Sequence, residues 1–305
     1  MDNTINYSII IPHKNIPKLL DRCINSIPFR NDIEIIIVDD NSDDVAELYK
    51  LESLKRSDVQ LHLISKTESK GAGRARNLGL SVAKGKWCIF ADADDFFITA
   101  SLNKMMDVYI NSFVDIVYFN VECLFADSLK PSSLADKVYK RYIYAEDATT
   151  ICRYKLKVPW GKFIKRKLIA LNNIEFDETK VANDLIFSLK TGISASSTLV
   201  DKTAIYTWLI REGSLSSIHS SDTSLIHFNS HVRYNNLLKA ESIVLYRKYR
   251  NNLFVSTPKL LRKSFSYITI FNMICNNTPK RYIVKDLFSA VMKGIRSLAT
   301  DKSIL

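Results

Sequence analysis

Apolar residues gather early in the chain into short runs, at residues 7–11, 33–38, 59–64 and 86–91. Runs of this length, rich in Ile and Val, predict strands buried on both faces. The stretches between them mix apolar and polar residues at helical spacing. They predict helices over residues 17–26, 44–55 and 72–84. Pro17 suits a first helical turn, Asn41-Ser42-Asp43 offers capping side chains, and Gly85 supplies a stop. The first strand is expected to break at Pro12. Strands alternating with helices imply a mostly parallel, Rossmann-like sheet flanked by helices. In such open α/β sheets ligands sit at the carboxyl ends of the strands. Pro12, Asp39-Asp40 and Asp92-Ala93-Asp94 all stand at those ends.

Asp92 and Asp94 carry the sharpest chemistry. Acids one residue apart at a strand end point the same way, because strand side chains alternate. Two hard oxygen ligands on one side suit Mg²⁺ or Mn²⁺, and such a cation holds a diphosphate. A solvated acidic turn is the plain alternative, and the strand-end setting argues against it. Gly71-Ala72-Gly73 starts like a dinucleotide-binding loop but lacks the third glycine.

Ser8-Ile9-Ile10-Ile11-Pro12 with Asn15, then Ile36-Ile37-Val38-Asp39-Asp40-Asn41-Ser42, resembles the opening of family 2 glycosyltransferases of the GT-A fold. Ala75-Arg76-Asn77-Leu78-Gly79, Gly85-Lys86-Trp87 and Asp92-Ala93-Asp94-Asp95 continue the resemblance in order. Trp160-Gly161-Lys162-Phe163, Ile174-Glu175-Phe176 and Asn183-Asp184 resemble the acceptor half. Tyr206-Thr207-Trp208 and Arg211-Glu212-Gly213-Ser214-Leu215-Ser216 resemble the strand and turn that follow. The resemblance implies an inverting, metal-dependent transfer from a nucleotide sugar, with UDP as nucleotide. It implies a glycan or lipid-linked acceptor in bacterial surface polysaccharide synthesis. By the same resemblance Pro12, Asp39 and Asp40 border the base, one of the two acids serving only as a cap. Arg76 approaches the diphosphate, Asp92 faces the ribose and the metal, and Asp94 takes the metal. His219 is a further metal candidate, against the reading of a polar loop histidine. Asp184 is the catalytic base, against the reading that it only complements a helix dipole. Asn183 stands where the family has an acid, and His13-Lys14 where it has an aromatic residue. Trp160 and Lys162 are candidates for acceptor contact or for the core.

The resemblance implies a GT-A domain over residues 1–230, with a nucleotide-binding half at about 1–120 and an acceptor half at about 121–230. Residues 231–305 form a basic, mainly helical C-terminal extension. Charge sharpens this division. From Arg233 onward there are 14 Lys and Arg against three acids, which equals the whole net charge of +11. Leu237, Leu238, Ile243, Val244, Leu260, Leu261, Phe265, Ile268 and Phe271 recur there at helical spacing. Two readings stay open: helices packed on a core with a solvated basic face, or helices on an anionic membrane surface through residues 233–305. Nothing resembles a nucleic-acid module, so no nucleic-acid partner is expected. Five scattered cysteines form no C-x-x-C pair, which fits a reducing compartment. Met1-Asp2-Asn3-Thr4 lacks the features of a signal peptide. The expectation is a cytoplasmic enzyme, peripheral at the inner face of the cell membrane. His227 and His231, at i and i+4 without a third ligand, read as structural. Two other functions remain: a degenerate homologue that binds nucleotide or membrane without turnover, and a sugar nucleotidyltransferase. The second needs a Gly-rich loop with a catalytic cation near the first strand, and Ile11-Pro12-His13-Lys14-Asn15 offers none.

Overall fold

Four of the predicted apolar runs form one edge of an eight-stranded sheet. The computed structural model describes residues 4–211, 221–253, 272, 274–287 and 289. In chain order the described elements are β1 (Tyr7–His13), α1 (Pro17–Asn25), β2 (Ile33–Asp39), α2 (Ala46–Tyr49), β3 (Val59–Leu63), α3 (Ala72–Val82) and β4 (Trp87–Phe90). They continue with β5 (Phe96–Phe97), α4 (Thr99–Tyr109), β6 (Ile116–Phe125), α5 (Arg141–Ile143), α6 (Ala148–Lys155), β7 (Lys162–Lys165), α7 (Arg166–Leu171), α8 (Leu185–Ser194) and β8 (Thr198–Ile210). Two helices follow, α9 (Ser221–Glu241) and α10 (Ile243–Tyr249).

The sheet order is β3-β2-β1-β4-β7-β6-β8-β5. Strands β1 to β4 pair in parallel, as does β6 with β8, while β7 and β5 run antiparallel to their neighbours. The core is the isoleucine-rich β1 and β2 with Trp87, Phe90, Phe119 and Phe163, all fully buried.

Three local differences from the sequence reading have physical causes. β1 does not break at Pro12 but runs on to His13 beside Asp39. The Ile10 carbonyl accepts from Ala91 at 3.2 Å, so even-numbered residues of β1 face β4. Its last pairing there is Ile10 with Phe90, so Pro12 lies beyond β4, where its missing N–H has no partner to lose. The helix expected over residues 44–55 is instead α2 followed by a 3-10 turn, Glu52–Lys55. Leu51 between them is extended, and Ser53 is tied to Asp21 at 2.6 Å. Gly85 is not the stop of α3, which ends at the extended Ala83. A side chain at Gly85 would place its Cβ 2.4 Å from the Ser8 amide, so close strand approach is what requires glycine there.

The chain divides into two compact units, residues 1–214 and 215–305. In the second, α10 is bonded to residues 280–287 through Arg250, whose two terminal nitrogens each reach the Asp286 carboxylate at 2.6 Å. Asn235 and Asn251 pair at 3.0 and 2.7 Å.

Candidate active site

The ends of β1 and β2 bring His13, Asp39 and Asp40 together. The Ile16 N–H donates to His13 Nε2 at 3.1 Å, which leaves Nδ1 to donate to Asp39 at 2.7 Å. Asp39 also accepts from the Ser42 amide at 2.8 Å and the Ser42 hydroxyl at 2.5 Å. Its carboxylate is thus committed to holding the loop. Asp40 is different. Its Oδ2 accepts from the Gly71 amide at 3.0 Å, and its buried Oδ1 has no hydrogen-bond partner. A buried acceptor left without a donor is costly, so one aimed at a ligand N–H is a natural explanation. Gly71 holds φ at +88°, which favours glycine and lets its amide reach Asp40.

Beyond β4 the acids sort by environment. Asp95 is 2% exposed and bonds the Tyr206 hydroxyl at 2.7 Å and the Leu209 amide at 2.8 Å. Tyr206 in turn accepts from the Asp92 amide at 2.9 Å. Burial, with the charges of Asp92 and Asp94 beside it, lifts the Asp95 carboxyl well above the usual carboxylate range. Asp92 meets Arg76 Nη2 at 2.5 Å and the Trp160 side chain. Asp94 meets Arg211 Nε at 2.7 Å through Oδ2, and its carbonyl accepts from Arg22 at 2.7 Å. Burial raises the Asp92 carboxyl; Arg76 opposes this and the charge of Asp94 adds to it.

That repulsion is the test of whether a divalent cation fits here. Asp94 Oδ1 has no partner among the described residues, and the two carboxylates sense each other's charge. A cation beside them relieves the repulsion. The described residues hold no group of three or more His, Cys, Asp or Glu that forms a metal cage. Mg²⁺-type sites fit this count, since they take one or two carboxylates and complete the shell with substrate phosphates and water. His219 lies outside the described residues.

Arg76 links the end of β4 to the start of α8. Besides Asp92 it donates to the Asn183 side chain at 2.8 Å, and its guanidinium lies 5.3 Å from the Phe176 ring centre. Its buried Nε has no hydrogen-bond partner. Asp184 follows at the start of α8, and its side chain makes no capping bond. Among the described residues its carboxylate has no ion-pair partner. Desolvation pushes its carboxyl up; Arg76 opposes this and Asp92 adds to it. Trp160 is stacked between Tyr139 and Tyr206, 5.4 Å from each at 16°. Lys162 is 1% exposed and donates to the Leu156 carbonyl at 2.9 Å.

Residues 8–168 match the profile described as "Glycosyl transferase family 2". The chain belongs to glycosyl transferase family 2. It is 28% identical over 225 residues to glycosyltransferase GlyA of Streptococcus pneumoniae, across 69% of this chain and 31% of that one. It is 28% identical over 222 residues to the poly(ribitol-phosphate) beta-N-acetylglucosaminyltransferase TarS of Staphylococcus aureus, across 68% of this chain and 36% of TarS. It therefore spans about a third of the length of these two curated relatives. The crystal structure of TarS 1–349 with UDP-GlcNAc superposes with a TM-score of 0.70 at 20% identity, over 91% of this chain and 82% of that one. Mannosyltransferase PcManGT of Pyrobaculum calidifontis, solved with GDP-Man and Mn²⁺, gives 0.55 at 15% identity, over 98% and 85%. The fold is accordingly that of a GT-A glycosyltransferase.

In this family 2 glycosyltransferase, the structure brings together Arg76, Asp92, Asp94, Asn183 and Asp184, and separately Pro12, Asp39 and Asp40 at the ends of β1 and β2. The sequence reading missed the roles of Asp95, Arg22 and Arg211. The Asp94-Asp95 doublet was the available signal for Asp95. No local signal pairs Arg211 with Asp94, which lies more than a hundred residues earlier.

Proposed function

We propose that this family 2 glycosyltransferase moves a sugar from a UDP-sugar, with inversion, to a hydroxyl of a glycan or lipid-linked saccharide in bacterial surface polysaccharide synthesis. One observation carries the reading: Arg76 bonds Asp92 at 2.5 Å and the Asn183 side chain at 2.8 Å, and Asp184, next to Asn183, starts α8 with no capping bond. A base, a phosphate-directed cation and the acid pair therefore belong to one electrostatic unit. Asp40 Oδ1 accepts a ring N–H of the nucleobase, and Pro12 borders it. Arg76, ion-paired with Asp92 among the described residues, directs its remaining charge to the diphosphate. Asp184 takes the proton of the attacking hydroxyl as the new bond forms on the face opposite the leaving nucleotide. Asp94 and Asp92 would hold Mn²⁺ or Mg²⁺, which would supply charge neutralisation for the diphosphate.

UDP is favoured over GDP because the likeness to TarS, solved with UDP-GlcNAc, exceeds that to PcManGT. The acid pair at Asp92 and Asp94, with Asp184 retained, favours turnover over a degenerate binding role. The enzyme domain is assigned to residues 1–230, with the basic extension at residues 231–305 acting peripherally at the inner membrane face. Calorimetry with UDP and GDP, with Mn²⁺ or with EDTA, tests the donor assignment. UDP should bind in Mn²⁺ and lose affinity in EDTA, and Asp94→Ala should remove the Mn²⁺-dependent part. Equal affinity of wild type and variant for UDP in Mn²⁺ overturns the metal assignment.

A further inference from the structure

Where β1 ends, the turn at residues 13–16 is fixed on both sides of one side chain that the fold does not use. His13 commits both ring nitrogens inside the protein, to Asp39 at 2.7 Å and to the Ile16 N–H at 3.1 Å, and its side chain is fully buried. Asn15 is clamped to the facing turn. Its amide donates to the Ser42 hydroxyl at 2.8 Å, and its side chain exchanges two bonds of 2.8 Å with Asp43. Asn15 and Asn41 both hold φ at +57°, a left-handed conformation that Asn tolerates better than most residues.

Lys14 lies between His13 and Asn15, so its backbone has little freedom, and its side chain reaches toward Asp40. The ammonium stands 4.0 Å from Asp40 Oδ2. That is an ion pair without a hydrogen bond, and Oδ2 already takes the Gly71 amide at 3.0 Å. The Lys14 side chain is half-exposed and keeps its donors unused among the described residues.

The two groups are complementary. Asp40 Oδ1 is a buried acceptor without a donor, and Lys14 brings three N–H donors without an acceptor. A planar ring edge that carries an N–H next to a carbonyl oxygen answers both. In uracil the N3–H has a carbonyl oxygen on each side. Cytosine in the same pose turns an unprotonated N3 to Asp40. Guanine presents two adjacent N–H donors, and Asp40 has a single oxygen left to accept them. The turn itself offers no aromatic face for stacking, because its one aromatic ring, His13, is buried.

We propose that Lys14 is a specificity residue for the donor: its ammonium donates to a carbonyl oxygen beside the uracil N3–H that Asp40 accepts. The proposal rests on the reading of Asp40 as the base acceptor for a UDP-sugar and adds the group that reads the rest of the ring edge.

The test is calorimetry on the full chain in Mn²⁺. Wild type should bind UDP more tightly than CDP. Lys14→Met, at an exposed position, keeps a stem of similar length and removes the ammonium. It should bind UDP about tenfold more weakly, the loss of one charged hydrogen bond. CDP affinity should stay unchanged. CDP carries the same charge, so the UDP-to-CDP ratio separates base reading from general attraction to phosphate. Thio analogues give a readout that needs no variant, since a thiocarbonyl is the poorer acceptor. Either 4-thio-UDP or 2-thio-UDP should bind wild type more weakly than UDP does, and the variant should bind that analogue and UDP alike. An unaltered UDP-to-CDP ratio in Lys14→Met, or no loss with either analogue, overturns the proposal. N3-methyl-UDP separates it from the reading beneath it. If that analogue binds wild type poorly while Lys14→Met binds UDP normally, Asp40 keeps its role and Lys14 loses its own. If N3-methyl-UDP binds like UDP, or if wild type binds no UDP, both fall.

Discussion

Asn183 and Asp184 are adjacent in sequence and opposite in proposed role. Asn183 gives Arg76 an uncharged acceptor at 2.8 Å, which leaves the guanidinium's charge for the donor. Asp184 keeps a carboxylate that no capping bond consumes. Replacing it with Asn preserves size and removes the proposed base. Turnover by Asp184→Asn should fall by roughly 10²–10⁴-fold with UDP affinity unchanged, because general-base assistance is of that order. The pH profile gives a second check. The base works ionised, so the rate rises with pH through the Asp184 pKa. Desolvation places that pKa above its ordinary value, so the acid limb of kcat should lie above the usual aspartate range and vanish in the variant. A variant within a few fold of wild type, with its acid limb intact, moves the base elsewhere. Residues of this kind were legible because each sits in a short ordered motif. Asp95 was not, since its partners Tyr206 and Leu209 lie on a strand more than a hundred residues later.

At the scale of elements, α3 ties the proposed donor site to the segment that carries the proposed base. Asn77 exchanges two hydrogen bonds with the Phe176 backbone, at 3.0 and 2.8 Å, and Arg76 reaches Asn183 from the same helix. Gly73 lets the two segments touch: a Cβ there would lie 2.0 Å from the Asp177 carbonyl oxygen. Gly73→Ala must therefore push the 173–184 segment away from α3. Overpacking of this kind costs about 1–3 kcal/mol, which lowers Tm by roughly 2–10 °C in a unit of this size. Turnover should fall with it, because the displaced segment carries Asp184. Ser81→Ala, on the exposed side of the same helix, should change neither. Thermal melts and turnover of the two variants decide; an unaltered Gly73→Ala removes the coupling. The parallel edge of the sheet was readable from short, mainly apolar runs. β7 and β5, with four and two residues, are too short to show a period, and their antiparallel pairing is set by contacts distant in sequence.

For the whole molecule, charge is the organising quantity, and residues 233–305 hold all of its net excess. The structure changes which of those charges are available. Arg250 is tied to Asp286 by two bonds of 2.6 Å and is nearly buried, so the pair adds nothing to the surface. Arg247, Lys248, Lys280, Arg281 and Lys285 are exposed, as are Val244 at 63% and Val284 at 77%. No described helix is long and apolar enough to cross a membrane. Exposed cations interleaved with exposed valines suit adsorption to an anionic surface. There each Lys or Arg contributes roughly 1 kcal/mol, over about one Debye length. Vesicles containing anionic lipid should sediment the full chain at low salt and release it as salt rises; neutral vesicles should not. Arg247→Glu with Lys248→Glu should weaken the sedimentation and leave UDP affinity intact. Arg250 must be left in place, because reversing it would set a glutamate against the buried Asp286 and destabilise the unit. Equal sedimentation with neutral and anionic vesicles would mean that the basic face only solvates packed helices, and the membrane role would fall.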